Sequence, residues 1–167
     1  MVRVAVFSDT HGEFTNLESV LPQFGPVDWL LHAGDHFGDA AQVGRRLGLG
    51  PERIVAVVGN CDAPQTEPAQ VVLEIGGVKI LLTHGHHYGV KSTLDRILYR
   101  AAELEVRVAV FGHSHIPVNG QDGGVLLFNP GSLTAPRLPQ DPPSCGILEI
   151  AGGQVTARHL FASQKPA

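Results

Sequence analysis

Cysteine is scarce in this chain: only Cys61 and Cys145 occur among 167 residues. Two are too few for a disulfide framework, and both are read as thiols. Basic residues are also few, 12 Lys and Arg against 16 Asp and Glu, for a formal net charge of -4. A protein that coats nucleic acid needs clustered cations to displace counterions. An extended nucleic-acid surface is therefore disfavoured, and an anionic substrate must be captured locally. No apolar run approaches the roughly 18 residues of a membrane span. Val2 to Phe7 has neither the length nor the cleavage site of a signal peptide. A cytoplasmic protein with no membrane partner is expected. Low-complexity tracts and dividing linkers are absent too. With 43% hydrophobic residues available for a core, residues 1–167 are expected to form a single domain.

What the chain does contain is a repeated pattern: a short β-branched or aliphatic run, a Gly or Ser, then a side chain of metal-ligand type. Val2 to Ser8 leads to Asp9, Trp29 to Gly34 to Asp35, and Arg53 to Gly59 to Asn60. Val78 to Thr83 leads to His84, and Val106 to Gly112 to His113. Runs so uniformly apolar fit strands buried on both faces.

Helical periodicity lies between them. Phe14, Leu17, Val20 and Leu21 share a face in a segment that Pro22 is expected to cut short, and Ala40 to Leu47 forms a second. Leu94, Ile97, Leu98, Ala101 and Leu104 mark a third, with Ser92 and Asp95 as its capping pair. Farther on, Val71 to Ile75 and Val78 to Leu82 flank Gly76-Gly77, a hairpin signal. Val125 to Asn129, Gly146 to Ile150 and Val155 to Phe161 read as further strands, the last two joined through Gly152-Gly153. Leu133 to Ser144, with four prolines, reads as an irregular loop, and the tail from Ser163 as frayed. The predicted architecture is α/β: two packed mixed β-sheets flanked by helices, an αββα sandwich.

In open α/β sheets, ligands bind beyond the carboxyl ends of the strands. If the runs are parallel neighbours, Asp9, Asp35, Asn60, His84 and His113 converge there, with His11 and His115 each two residues beyond a strand-end donor. Two cations need about this many donors: a carboxylate can bridge them while imidazole and carboxamide fill other positions.

The motifs Ser8-Asp9-Thr10-His11-Gly12, Gly34-Asp35, Gly59-Asn60-Cys61-Asp62, Thr83-His84-Gly85-His86 and Gly112-His113-Ser114-His115 occur in this order. In this the chain resembles the calcineurin-like metallophosphoesterases, nearest their small phosphodiesterase branch, whose later signature Asn129-Pro130-Gly131-Ser132 resembles. The resemblance implies one divalent metal held by Asp9, His11, Asp35 and His115 and a second held by Asp35, Asn60, His84 and His113. Asp35 would bridge them. It favours manganese, with nickel or another transition metal as alternatives. Two divalent ions against two carboxylates leave the first shell at about +2, which attracts phosphate within an acidic protein. The expected reaction is hydrolysis of a small phosphodiester by a hydroxide bridging both metals, with Asn60 and His84 stabilising charge on the phosphoryl oxygens. His86 is the candidate for touching substrate.

Each motif alone has a commoner explanation, since an Asp after a strand is usually a cap and a His-x-His pair usually surface or core filling. Five in order outweigh that. His32, inside an apolar run, is read as a hydrogen-bonded core residue. His159 is read as having no site role, His36 and His87 as neighbours of ligands, and Arg137 as solvated. Gly12, Gly34, Gly59, Gly85 and Gly112 are read as permitting tight strand exits. Cys61 stands where many relatives have His, which removes the usual proton-donating imidazole. No Arg lies between His36 and Ala41, which disfavours a phosphoprotein phosphatase. Two alternatives stay open: a phosphomonoesterase, and a retromer-like scaffold that uses the fold without metal. Self-association is compatible with the sequence.

Overall fold

A computed structural model of the chain describes residues 1–63 and 67–163. Its elements in chain order are β1 (Val2–Phe7), α1 (Leu17–Phe24), β2 (Trp29–His32), α2 (Asp39–Arg46), β3 (Ile54–Ala56), β4 (Gln70–Ile75) and β5 (Val78–Thr83). Then follow α3 (Asp95–Glu103), β6 (Val108–Val110), β7 (Val118–Asp122), β8 (Val125–Asn129), β9 (Ser144–Ala151) and β10 (Gln154–Phe161). Successive strand side chains leave by opposite faces, so the unbroken burial of Val4, Ala5, Val6 and Phe7 requires cover on both sides of β1. Val4 and Val6 pack between the two sheets with Leu31, Ile80, Leu82, Val110 and Phe128. Ala5 and Phe7 face the other way, against α1 and α2 through Leu17, Val20, Phe24 and Val43. On the second sheet, Leu81, Ala109 and Leu127 cover Ile97 and Ala101 of α3. The layers are thus helix, sheet, sheet, helix, as predicted.

The first sheet has the order β10-β9-β1-β2-β3 and the second β4-β5-β6-β8-β7. Within each, three strands run parallel: β1, β2 and β3 in one, β5, β6 and β8 in the other. The donor-bearing strands are therefore two parallel sets in facing sheets, and their loops meet across the sandwich.

Three local expectations change. Pro22 lies inside α1, which continues to Phe24 before Gly25 ends it. The ring removes one backbone donor, but buried Leu17, Val20 and Phe24 hold the helix, and Phe24 stacks on Phe7 with centroids 5.6 Å apart. At α3 the capping hydroxyl belongs to Thr93, which accepts the Asp95 N–H at 3.2 Å, and Ser92 does not serve. Strand β7, rich in polar residues and mostly exposed, gave no apolar signal. The other assignments hold: Gly76 and Gly77 both have positive φ, 59° and 77°, as a tight hairpin demands. Of the tail expected to fray, residues 164–167 lie outside the described residues. Both cysteines are free. Among the described residues no helix is long and apolar enough to cross a membrane.

Gly146 in β9 lies against Phe128, and a Cβ there would sit 2.4 Å from the ring, whereas one at Gly120 in edge strand β7 would meet nothing within 4 Å. Gly146→Ala should lower the unfolding free energy by about 1–3 kcal/mol. Gly120→Ala should be neutral or slightly stabilising. Urea unfolding of the two variants checks the contrast.

Candidate metal centre

Three of the five strand-end loops arrive with strained backbones. Asp9, His11, Asp35, His113 and His115 all have φ between 51° and 66°, and His36 joins them at 66°. Non-glycine residues rarely adopt this left-handed conformation, and each costs of order 1–3 kcal/mol unless its surroundings hold it. Here they do. Asp9 Oδ2 accepts from Ser8 Oγ (2.5 Å) and from the His113 N–H (3.0 Å), tying the first loop to the last. Ser132 and Thr134 hydroxyls donate to the Asp9 carbonyl. Thr10 Oγ1 and the Gly12 N–H donate to Asp39 Oδ2 at 2.7 and 2.8 Å. The loops are so close that a Cβ on Gly59 would lie 2.1 Å from Asp35 Oδ1, and one on Gly112 1.9 Å from Ser8 Oγ. Neither glycine has positive φ, so close approach explains them better than a turn conformation does.

The side chains these loops carry converge on one another. Ligand atoms of Asp9, His11, Asp35 and His115 lie within 4.8 Å of one another. Beside them, His84 Nε2 is 3.1 Å from Asn60 Oδ1 and 3.3 Å from Asp35 Oδ1. The His113 ring lies edge-on to His84, centroids 5.1 Å apart. Asp35 faces both groups, Oδ1 toward His84 and Oδ2 toward His11 Nε2 at 4.0 Å. All seven residues expected from the sequence are thus brought together.

Tautomers reveal what the cluster is built for. His84 Nδ1 donates to the Ala33 carbonyl at 2.7 Å, and His115 Nδ1 to the Ala135 carbonyl. In the neutral ring each Nε2 is then a lone pair, and His84 aims its own at the oxygens of Asn60, Asp35 and, at 3.8 Å, Asp9. His115 aims its own at Asp9 Oδ1, 3.1 Å away. Asp9 Oδ1 and His11 Nε2 are buried without a hydrogen-bond partner. Acceptors facing acceptors in a buried site repel unless positive charge lies between them. Carbonyl-anchored imidazoles opposite carboxylates are the usual surroundings of a bound metal, so the donor set fits a divalent cation.

Burial opposes a proton on His84, yet Asp35 and Asp9 outweigh it and raise its pKa. Without a metal, a proton on these rings is what meets the carboxylates, and Asp9 raises the His115 pKa in the same way. Burial likewise opposes the Asp35 charge, but bonds from His84 and the Cys61 N–H hold its pKa well below the usual carboxylate range. His113 is instead lowered to about 4, by burial and by the neighbouring His84.

The remaining histidines separate cleanly. His86 lies 5.3 Å from the His84 ring and 6.0 Å from His113, with its Nδ1 buried and unpartnered. The His87 ring lies tilted against it, centroids 3.9 Å apart, and His36 lies 5.7 Å from His11. His159 bonds to the Asn129 carbonyl and stacks on Phe128, away from the donors. Arg137 is exposed. Asp39 and Thr134 hold the loops, yet carry no periodic or strand-end signal that would have singled them out, whereas Ser132 closes the Asn129-Pro130-Gly131-Ser132 signature after β8.

The fold and the donor set together describe an α/β sandwich whose strand ends gather Asp, Asn and His, a set that could hold a metal ion. The chain belongs to the calcineurin-like phosphoesterase superfamily, whose domain matches residues 2–153. It is 36% identical to the probable metallophosphoesterase YsnB of Bacillus subtilis (strain 168), over 94% of this chain and 89% of that protein. It is 32% identical to the phosphodiesterase YfcE of Escherichia coli (strain K12), over 89% and 88%. Among solved structures, a predicted phosphoesterase from Streptococcus pneumoniae superposes with a TM-score of 0.75 at 30% identity, covering 96% of this chain and 89% of that one. The zinc complex of Vps29 from Entamoeba histolytica, at 24% identity, shares the fold with a TM-score of 0.74, covering 96% and 99%.

His32, fully buried, accepts the Gly34 N–H at Nδ1 and bonds Thr10 Oγ1 through Nε2, as a neutral core histidine should. Burial lowers its pKa from 6.5 to about 4. Above pH 6.5 both folded and unfolded forms are neutral and nothing is lost. As pH falls from 6.5 toward 4 the unfolded chain takes up a proton that the folded one refuses, at a cost of about 3 kcal/mol. In chelator, His32→Asn should therefore flatten the fall in urea midpoint between pH 7 and 4.5. An equally steep fall in the variant would contradict this account.

Proposed function

We propose that the chain is a phosphodiesterase that works with two divalent cations, manganese by preference. The observation that carries this reading is the convergence of ligand atoms of Asp9, His11, Asp35 and His115 within 4.8 Å of one another, with Asp9 Oδ1 and His11 Nε2 buried and without a hydrogen-bond partner. Asp9, His11, Asp35 and His115 would hold one cation, and Asp35, Asn60, His84 and His113 the other. When bound, such a pair supplies charge against the phosphoryl oxygens and acidity for the attacking water.

The chain's own groups do the rest. The Ala33 and Ala135 carbonyls fix the His84 and His115 rings, so their Nε2 atoms stay aimed inward. Asn60 is exposed at the mouth of the site, where its amide can reach a substrate oxygen. His86 is half-buried, and burial lowers its pKa, so it meets substrate as a neutral ring offering one hydrogen bond. Cys61 lies beside Asn60, 3.6 Å from its amide nitrogen. Burial and Asp35 raise the thiol's pKa, which keeps it protonated and too weak an acid to serve as an imidazolium would. A phosphodiester with a good leaving group suits such a site better than an alkyl monoester. The intact donor set supports an enzyme over a metal-poor scaffold. We read the substrate as small and the protein as cytoplasmic.

The bridging assignment is tested by counting metal. Asp35→Ala should remove both cations, whereas His11→Ala should weaken mainly one. Equal partial loss in the two variants, measured by elemental analysis after dialysis against manganese, would contradict it.

The leaving-group argument is tested at Cys61. General acid help is worth about 10²- to 10⁴-fold, so Cys61→His should raise the rate on an alkyl phosphate ester more than on a nitrophenyl ester at unchanged metal content. Equal change on both substrates would assign proton donation to another group, His86 first.

A further inference from the structure

Asp62 is an acid that no part of the reaction described above uses. Its two carboxylate oxygens are nevertheless fully engaged. Oδ1 accepts two successive backbone N–H groups, from His36 at 2.7 Å and Phe37 at 3.2 Å, directly after Asp35. Oδ2 accepts the Gly59 N–H at 2.7 Å, directly before Asn60. The Asp62 N–H returns a bond to the Gly59 carbonyl, closing the turn that presents Asn60, and within that turn the Cys61 N–H bonds Asp35 Oδ1.

We propose that Asp62 is a positioning residue that preforms the cation site of Asp35, Asn60, His84 and His113 by clamping the Asp35 loop to the Asn60 loop before any metal arrives. The inference rests on the two-cation reading above. Asp35 and His36 are consecutive left-handed residues, at φ 54° and 66°. Such a backbone relaxes unless the amides that follow it have a fixed acceptor, and Asp62 Oδ1 is that acceptor. The same carboxylate sets the position of Gly59, whose α-carbon must stay where a side chain would strike Asp35. One group thus fixes both donors relative to each other, as outer partners of metal ligands commonly do.

The chemistry requires a carboxylate. An Asn at position 62 has one acceptor and one donor end, so whichever way it turns, its NH2 opposes at least one of the three N–H groups. Asp39 provides the comparison. It is also an acid outside the donor set, but both bonds it receives fall on the single atom Oδ2. An Asn there can keep both bonds while losing the same charge.

The test is manganese affinity of the full chain by chelator competition, with denaturant unfolding of the metal-free protein as the check on folding. Wild type should load two ions. Asp62→Asn should weaken one of them by about 10- to 100-fold, with little further loss when combined with Asn60→Ala and an additive loss when combined with His11→Ala. Asp39→Asn should change affinity much less than Asp62→Asn. Equal losses in Asp62→Asn and Asp39→Asn would show that charge alone acts and overturn the proposal. So would a folded Asp62→Asn that binds both ions as wild type does, or loses stability only. Wild type loading fewer than two ions would instead overturn the two-cation reading, and this inference with it. A measurement on unaltered protein stands apart from folding of the variants: in the metal-free chain the His36, Phe37 and Gly59 amides should resist hydrogen exchange. If they exchange as exposed amides do until manganese is added, the site is formed by metal and the proposal is wrong.

Discussion

Repulsion between acceptors is the constraint on which this structure turns. Asp9, Asp35 and Asn60 each bring an oxygen within 3.1 to 3.8 Å of His84 Nε2 in a mostly buried space. Such an arrangement costs free energy unless positive charge lies among the oxygens, and Asp9 Oδ1 and His11 Nε2 have no hydrogen-bond partner there. The remainder of the molecule holds that arrangement together. Two parallel strand sets in facing sheets aim their loops at one point, and an apolar layer between the sheets keeps the sets in place.

The cost is met locally, in layers outward from the donors. Hydrogen bonds from Ser8, His113, Ser132 and Thr134 hold Asp9 in a backbone conformation that it would otherwise leave. Carbonyls of Ala33 and Ala135 select the tautomers of His84 and His115. Asp39 and Asp62 gather the amides of the loops. Strain, tautomer and close glycine contact are thus linked, because each can persist only while the others do. Membership of the calcineurin-like phosphoesterase superfamily accords with this design, in which binding chemistry lives at strand ends while the sandwich supplies rigidity.

Much of this was legible from residue order. The runs ending at Asp9, Asp35, Asn60, His84 and His113 were visible because strands buried on both faces leave uninterrupted apolar stretches, against which a donor stands out. His32, within an apolar run, is a bonded and fully buried core residue, and His159, in the last strand, lies away from the donors. The errors have physical causes too. Pro22 by itself predicts an early end to α1, but packing of Phe24 on Phe7 outweighs one lost backbone bond. Strand β7 left no trace because an exposed edge strand needs no apolar alternation, only a partner, which β8 provides.

What the sequence by itself determined is the kind of donors, their order and their places at strand ends, because these follow from local periodicity and turn chemistry. Which donors lie beside one another, which way Asp35 divides its oxygens and which histidine nitrogen faces inward were decided only by the tertiary structure. So were the roles of Asp39 and Asp62, whose bonds reach loops far from them in sequence. Each of those properties is a distance between loops of different strands, mostly across two sheets. No periodicity along the chain encodes such a distance; it exists only once the sheets have packed face to face.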